Sequence, residues 1–158
     1  MAIRYSIEKT ANPENTAFSI GVAPKKVYGS VAKTADVPAD NDYVILAENI
    51  PVSACVHKLN LTHGNITSMN DTDILVLDKD GNVVKNSDSE TIYLAETVSF
   101  ANARANVDVL AAKQKSIKEL AGKGGDKLGS YVDIAMQVVT GGSDTGTVKW
   151  DVEFSTPA

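Results

Sequence analysis

The chain has one cysteine, Cys55, in 158 residues, so a disulfide framework within the chain is excluded. No apolar run approaches the roughly 20 residues that span a bilayer as a helix. The opening residues MAIRYSIEKT lack the apolar core of a secretory signal, which points to synthesis and use in a cytoplasm. Aromatic residues are scarce, at 6%: five Tyr, three Phe and one Trp. Basic charge is in deficit, with 15 Lys and Arg against 20 Asp and Glu and a formal net charge of −5. Phosphate binding needs a dense basic face, so general nucleic-acid binding is disfavoured.

What the chain does contain is branched apolar side chains. Val outnumbers Leu 18 to 9, and Val, Ile and Thr together number 40. Branching at Cβ restricts a side chain in a helix and suits a pleated sheet. Leu, Ile, Val and Phe are also numerous enough, at about a quarter of the chain, to build a core, which excludes global disorder. A single, mainly β domain follows from this length and composition.

The pattern along the chain agrees. Ile3, Tyr5 and Ile7 alternate with Arg4, Ser6 and Glu8, the period of a half-buried strand. Residues 9–25 hold Pro13, Gly21 and Pro24 and no sustained period, so residues 1–25 read as a strand followed by an arm. An arm of about 17 residues reaches roughly 55 Å when extended. It could cross to a neighbouring subunit, or residues 2–8 could pair within their own fold. Residues 26–158 form the domain proper.

Strands are expected at 26–34, 43–47, 52–62, 73–77, 82–85 and 90–95, with Gly29 marking a bulge and Pro51 an interruption. Asp78–Lys79–Asp80–Gly81 reads as a hairpin turn between 73–77 and 82–85. Residues 97–112 fit a strand or a helix. Ser116 and Glu119 have the capping-box spacing, and Gly122 supplies a stop, so a short helix falls within 113–121. The clearest alternation is Val132, Ile134, Met136, Val138 and then Val148, Trp150, Val152, Phe154. These two runs read as a hairpin joined by the flexible loop TGGSDTG. Together the elements predict a jelly-roll-like two-sheet antiparallel sandwich with one or two short helices.

Candidate sites are few. Cys55, His57 and His63 share strand parity, but zinc needs a fourth ligand and a convergence that one strand does not provide. A buried thiol and two surface or turn histidines are the simpler reading. Residues 71–90 hold six acids, Asp71, Asp73, Asp78, Asp80, Asp88 and Glu90. Counted from Asp78, Gly81 falls at position 4, not at the 6 that an EF-hand requires. A solvated hairpin explains the acids more simply than calcium does. Gly122–Lys123 lacks the earlier Gly and the following Ser or Thr of a phosphate-binding loop. No nucleophile elbow is present, so no catalytic residue, metal or cofactor is assigned. Lys113, Lys115, Lys118, Lys123 and Lys127 face only Glu119 and Asp126. That local excess of positive charge reads as a solvated face or as a contact for an acidic partner.

The C-terminal third carries a resemblance. Ile117, Glu119, Leu120 and Gly122 match a short helix motif, Tyr131, Asp133 and Ile134 a strand motif, and Gly141, Thr145, Gly146 and Thr147 a turn. In this order they resemble small tailed-bacteriophage virion proteins of jelly-roll type, over residues 26–154. The resemblance implies a non-enzymatic head decoration or cement protein on the virion's capsid surface, made in the host cytoplasm. Its implied partners are the major capsid protein and further copies of itself, as a dimer or trimer, with no nucleic acid and no membrane. Subunit or capsid contacts are then expected at Ile3, Tyr5, Ile7, Phe18 and Ile20 and at the five lysines. The alternatives are a tail, fibre or adaptor component, and a jelly-roll carbohydrate-binding module, which the few aromatics disfavour.

Overall fold

The computed structural model describes residues 4–5, 24–111, 115–123 and 128–156. Its elements run β1 (Arg4–Tyr5), β2 (Lys25–Lys33), β3 (Asp42–Pro51), β4 (Cys55–His63), β5 (Asp71–Leu77), β6 (Tyr93–Ala95), β7 (Arg104–Asp108), α1 (Ile117–Ala121), β8 (Tyr131–Thr140) and β9 (Gly146–Ser155). One sheet has the order β1-β3-β8-β5-β6 and the other β2-β9-β4-β7. Apart from the two parallel residues of β1, every pairing is antiparallel.

The topology is a rolled ribbon. β2 pairs with β9, β3 with β8, β4 with β7 and β5 with β6, as in one long hairpin whose tip lies between β5 and β6. Folding that ribbon over brings β4 against β9 and β5 against β8, which completes two packed sheets. This is a jelly roll, as the strand pattern predicts.

The β8–β9 hairpin expected from the sequence is not formed. β8 lies between β3 and β5 in one sheet, and β9 between β2 and β4 in the other. Their apolar rows face each other across the core, where Val132, Ile134, Met136 and Val138 meet Val148, Trp150, Val152 and Phe154. A short Gly-rich connection suits a crossing between layers as well as a hairpin, and alternation alone does not say which layer a strand joins.

The crossing loop is tied to its neighbours by hydrogen bonds. Gly141 donates its N–H to Asp40 Oδ1 at 2.7 Å, and Lys33 Nζ donates to the Gly142 carbonyl at 2.8 Å. Ser68 N–H donates to Asp144 Oδ2 at 2.8 Å, and Asp144 N–H returns a bond to Ser68 Oγ at 2.9 Å. A Cβ on Gly141 would lie 2.6 Å from the Pro38 carbonyl oxygen, and one on Gly142 2.2 Å from Ser68 Cβ. These glycines are there for close approach between three loops.

Several boundaries moved for local reasons. β3 is not a five-residue strand broken before Pro51. It runs to Pro51, which pairs with Tyr131, and absorbs two register shifts on the way. β4 starts at Cys55 because Ala54 N–H closes a turn onto the Pro51 carbonyl at 2.9 Å. Residues 82–85 and 90–92 form isolated bridges and bonds beyond β5 and β6 in place of full strands. The ambiguous 97–112 stretch supplies β7. The capping box forms as expected, with Ser116 and Glu119 exchanging side-chain and backbone bonds.

Gly29 is not a bulge: β2 stays in continuous register with β9. Gly29 lies opposite Trp150, and a Cβ on it would fall 2.5 Å from the indole ring. The indole occupies the room that a residue-29 side chain would take. Its Nε1–H donates to the Leu46 carbonyl in the opposite sheet at 3.0 Å. Leu46 is the extra residue at the first register shift of β3, between Ile45 opposite Ala135 and Ala47 opposite Ile134. A bulged residue is left without a ladder partner, and the indole meets this one.

The outer faces differ. On the first sheet Ile45, Ala135 and Leu75 lie side by side, and with Leu77 they form a buried second cluster edged by Tyr43, Val83 and Tyr93. On the second sheet the outer positions are polar. Lys26 reaches Glu153 at 3.7 Å, and Asn60 Nδ2–H donates to Asp151 at 3.0 Å.

The Trp150 seat predicts two substitution effects. Gly29→Ala should destabilise the fold by roughly 1–3 kcal/mol through overpacking, while Gly64→Ala, with nothing within 4 Å of its new Cβ, should stay within about 0.5 kcal/mol. Trp150→Phe should cost about 1–3 kcal/mol by leaving the Leu46 carbonyl buried and unmet. Urea unfolding of the three variants with a common m-value checks both.

Candidate functional site

The expected contact residues divide into an arm and a lysine group. Ile3, Ile7, Phe18 and Ile20 lie outside the described residues. Tyr5 is placed by its backbone in β1, opposite Val44 of the chain's own β3. For Arg4–Tyr5, therefore, the pairing is within the fold, which was one of the two readings of that segment.

Lys115, Lys118 and Lys123 are exposed around α1, while Lys113 and Lys127 lie outside the described residues. The helix is held down by its buried side, Ile117 and Ala121. Its first turn is also tied to the strand end before β4: Ile117 N–H donates to the Ala54 carbonyl at 3.1 Å and Lys118 N–H to Val52 at 2.9 Å. Ser116 forms a β-bridge with Cys55. An open hollow of about 440 Å³ lies here, lined by Ser53, Cys55, Ser116, Lys118, Glu119 and Gly122. Burial and the neighbouring Glu119 carboxylate both push the Cys55 thiol pKa up. A thiol held protonated is a poor nucleophile and a poor metal ligand.

The Cys55, His57, His63 set does not share a face. A register shift in β4 between Val56 and Lys58 reverses the alternation, so Val56, Leu59, Leu61 and His63 all point inward. Cys55 and His57 remain half-buried on the other side, and His57 hydrogen-bonds Ser155. The sequence reading of a buried thiol and two surface or turn histidines is thus corrected at two residues: Cys55 is half-buried and His63 is buried. Among the described residues, no group of three or more His, Cys, Asp and Glu side chains is placed to hold a metal ion.

Asp73 and Asp78 accept backbone N–H groups, and Glu90 accepts from the Asn86 side-chain amide. Asp78 Oδ1 accepts from Asp80 and Asn82, each at 2.9 Å, and Asp73 Oδ1 accepts from Thr97 at 2.9 Å. Asp78 and Gly81, at φ 83°, build the turn. The exposed aromatics Tyr28 and Tyr131 stand on different sheets, at 37% and 55% exposure, and so do not make one sugar-stacking platform.

No protein-family model matches the chain, and no curated protein matches it in sequence. A solved phage-capsid chain shares its fold. The match is to a chain of the cyanophage Pam1 capsid asymmetric unit, with a TM-score of 0.52 and 19% identity. It covers 94% of this chain and 95% of that one, so the likeness spans both nearly end to end. At that identity it speaks for architecture alone.

Sequence reasoning missed His63 as a core residue. Its ring packs on Phe100 with centroids 4.3 Å apart, and Nδ1–H donates to the Gly64 carbonyl at 2.7 Å. Nε2 is buried without a partner among the described residues. Burial lowers the His63 pKa; the Gly64 bond opposes this and the Arg104 charge adds to the lowering. The folded state therefore takes up the proton less readily than the unfolded chain. Above the unfolded pKa of about 6.5 this group adds no pH dependence, and below it stability falls as the unfolded state binds the proton first. Comparing wild type with His63→Leu between about pH 7 and pH 5 should show the steeper loss in wild type; parallel curves would remove His63 as the cause.

Proposed function

We propose that this chain is a non-enzymatic structural protein of a phage virion that sits on the outer capsid shell as a decoration or cement subunit. The observation that carries the reading is the near full-length fold likeness to a chain of a cyanophage capsid asymmetric unit. The helix, strand and turn motifs, which resemble those of small tailed-bacteriophage virion proteins of jelly-roll type, support the same role. Its mechanism is adhesive: each copy bridges neighbouring capsomers through several modest contacts, and their sum opposes shell rupture. The partners are the major capsid protein and further copies of this chain, and assembly follows synthesis in the host cytoplasm.

The proposed contacts are the exposed lysines around α1, with Lys113 and Lys127, and the apolar arm residues Ile3, Tyr5, Ile7, Phe18 and Ile20. A lysine face against an acidic shell gives binding that weakens with salt. The test is co-sedimentation of the purified chain with shells of the phage that encodes it, prepared without the chain. Binding is expected, along with a higher rupture temperature for the shells. The triple variant Lys115→Glu, Lys118→Glu, Lys123→Glu should bind at least about tenfold more weakly while keeping its β circular dichroism. Unchanged binding would make those lysines a merely solvated face. Recovery of the chain with purified tails in place of heads would replace the capsid reading with the tail or adaptor one.

A further inference from the structure

We propose that β2 is a self-association edge, at which two copies of this chain pair their Lys25–Lys33 strands antiparallel about a two-fold axis through Gly29. This goes beyond the virion reading and does not rest on it.

The starting point is how differently the sheet edges are finished. Exposed strand edges are usually blunted by shortness, bulges, proline or charge. β6 has three residues. β7 has five, a register shift and Asn106 at φ 54°. β3 carries two register shifts and is capped in part by β1. β2 has none of these features. It is nine residues long, its register with β9 is unbroken, and among the described strands it is paired on one side only.

Two of its three lysines do not guard it either, and the third, Lys25, stands at the strand's first position. Lys26 is drawn sideways to Glu153 of its own sheet, and Lys33 is 2% exposed, with its ammonium folded back onto the Thr34 and Gly142 carbonyls. Between them lie six uncharged residues, Val27 to Ala32.

A second copy fits this edge without conflict. Gly29 is the midpoint of Lys25–Lys33, so a two-fold axis there overlaps the strands over their whole length. Val27 then faces Val31 of the second copy on the core side, and Tyr28 faces Ser30 on the outer side. Opposed lysines occur only at the ends, as Lys25 against the inward-folded Lys33. The two Tyr28 rings flank the axis as a diagonal pair, about 7–8 Å apart at the backbone and within reach of each other. Pairing would cover Tyr28, which is 37% exposed. It would also close the notch of about 290 Å³ beside Tyr28, Gly29, Ser30, Lys149 and Trp150. The product is a continuous eight-stranded sheet with an isologous interface.

Sedimentation velocity of the full chain, from about 10 µM to about 1 mM, tests this without any capsid, so its failure leaves the virion reading untouched. A monomer–dimer equilibrium within that range is expected. Tyr28→Lys and Tyr28→Glu should each raise the dimer Kd at least about tenfold, and an equal mixture of the two should restore it. Should either variant misfold by circular dichroism, Ser30→Lys and Ser30→Glu, also diagonal across the axis, take its place. A wild-type chain that is monomeric throughout overturns the proposal. So does a dimer that both charge variants leave unchanged, or one that the mixture does not restore.

Discussion

Across the core that the two sheets share, one hydrogen bond and the gap that admits it set how they fit together. Trp150 belongs to β9, yet its Nε1–H ends on the Leu46 carbonyl of the other sheet. Three local features must coincide for that bond. Residue 29 must lack a side chain, β3 must bulge at Leu46, and β9 must hold its row of Val148, Trp150, Val152 and Phe154 toward the core. The bulge also explains why Leu46 and Ala47, neighbours in sequence, are both buried in the core. An indole donor buried without an acceptor would cost about 1–3 kcal/mol, more than the made bond contributes. The bulge is therefore part of the tryptophan's site and not an irregularity beside it.

The second constraint is at the end of the sandwich where β8 passes to β9. Three loops meet there, and Asp40, Ser68, Asp144 and Lys33 supply the bonds. Lys33 is buried with its ammonium on two backbone carbonyls, so its long side chain acts as a tie between the end of β2 and the crossing loop. With this end fixed, the central strand of each sheet is fixed relative to the other. The jelly roll then presents a polar outer face on one sheet and an apolar, covered one on the other.

The half-exposed thiol is held protonated, Asp78 serves turn geometry, and the histidines lie on opposite sides of β4. What the fold offers to partners is exposed lysine around a short capped helix, and a long regular strand edge. Both suit association between proteins.

The amino-acid sequence determined the class, most strand positions and the helix. Cβ branching and period-two alternation act locally, as does the Ser116–Glu119 capping box, so these were legible before any fold was known. So was the turn at Asp78–Gly81, where one carboxylate binds the backbone a few residues on. Sheet membership was not legible. Val132–Val138 and Val148–Phe154 alternate identically whether they pair with each other or face each other, and only the packing of β3, β5, β2 and β4 around them decides. The parity of β4 was likewise hidden, because a bulge between Val56 and Lys58 turns His63 inward while leaving Cys55 and His57 outside. In the sequence Gly29 reads as a bulge and Gly141 as part of a flexible loop. In the fold they are points of contact, where a tryptophan ring or a neighbouring backbone takes the place of a side chain, a distinction that belongs to tertiary structure because the partner is more than 100 residues away.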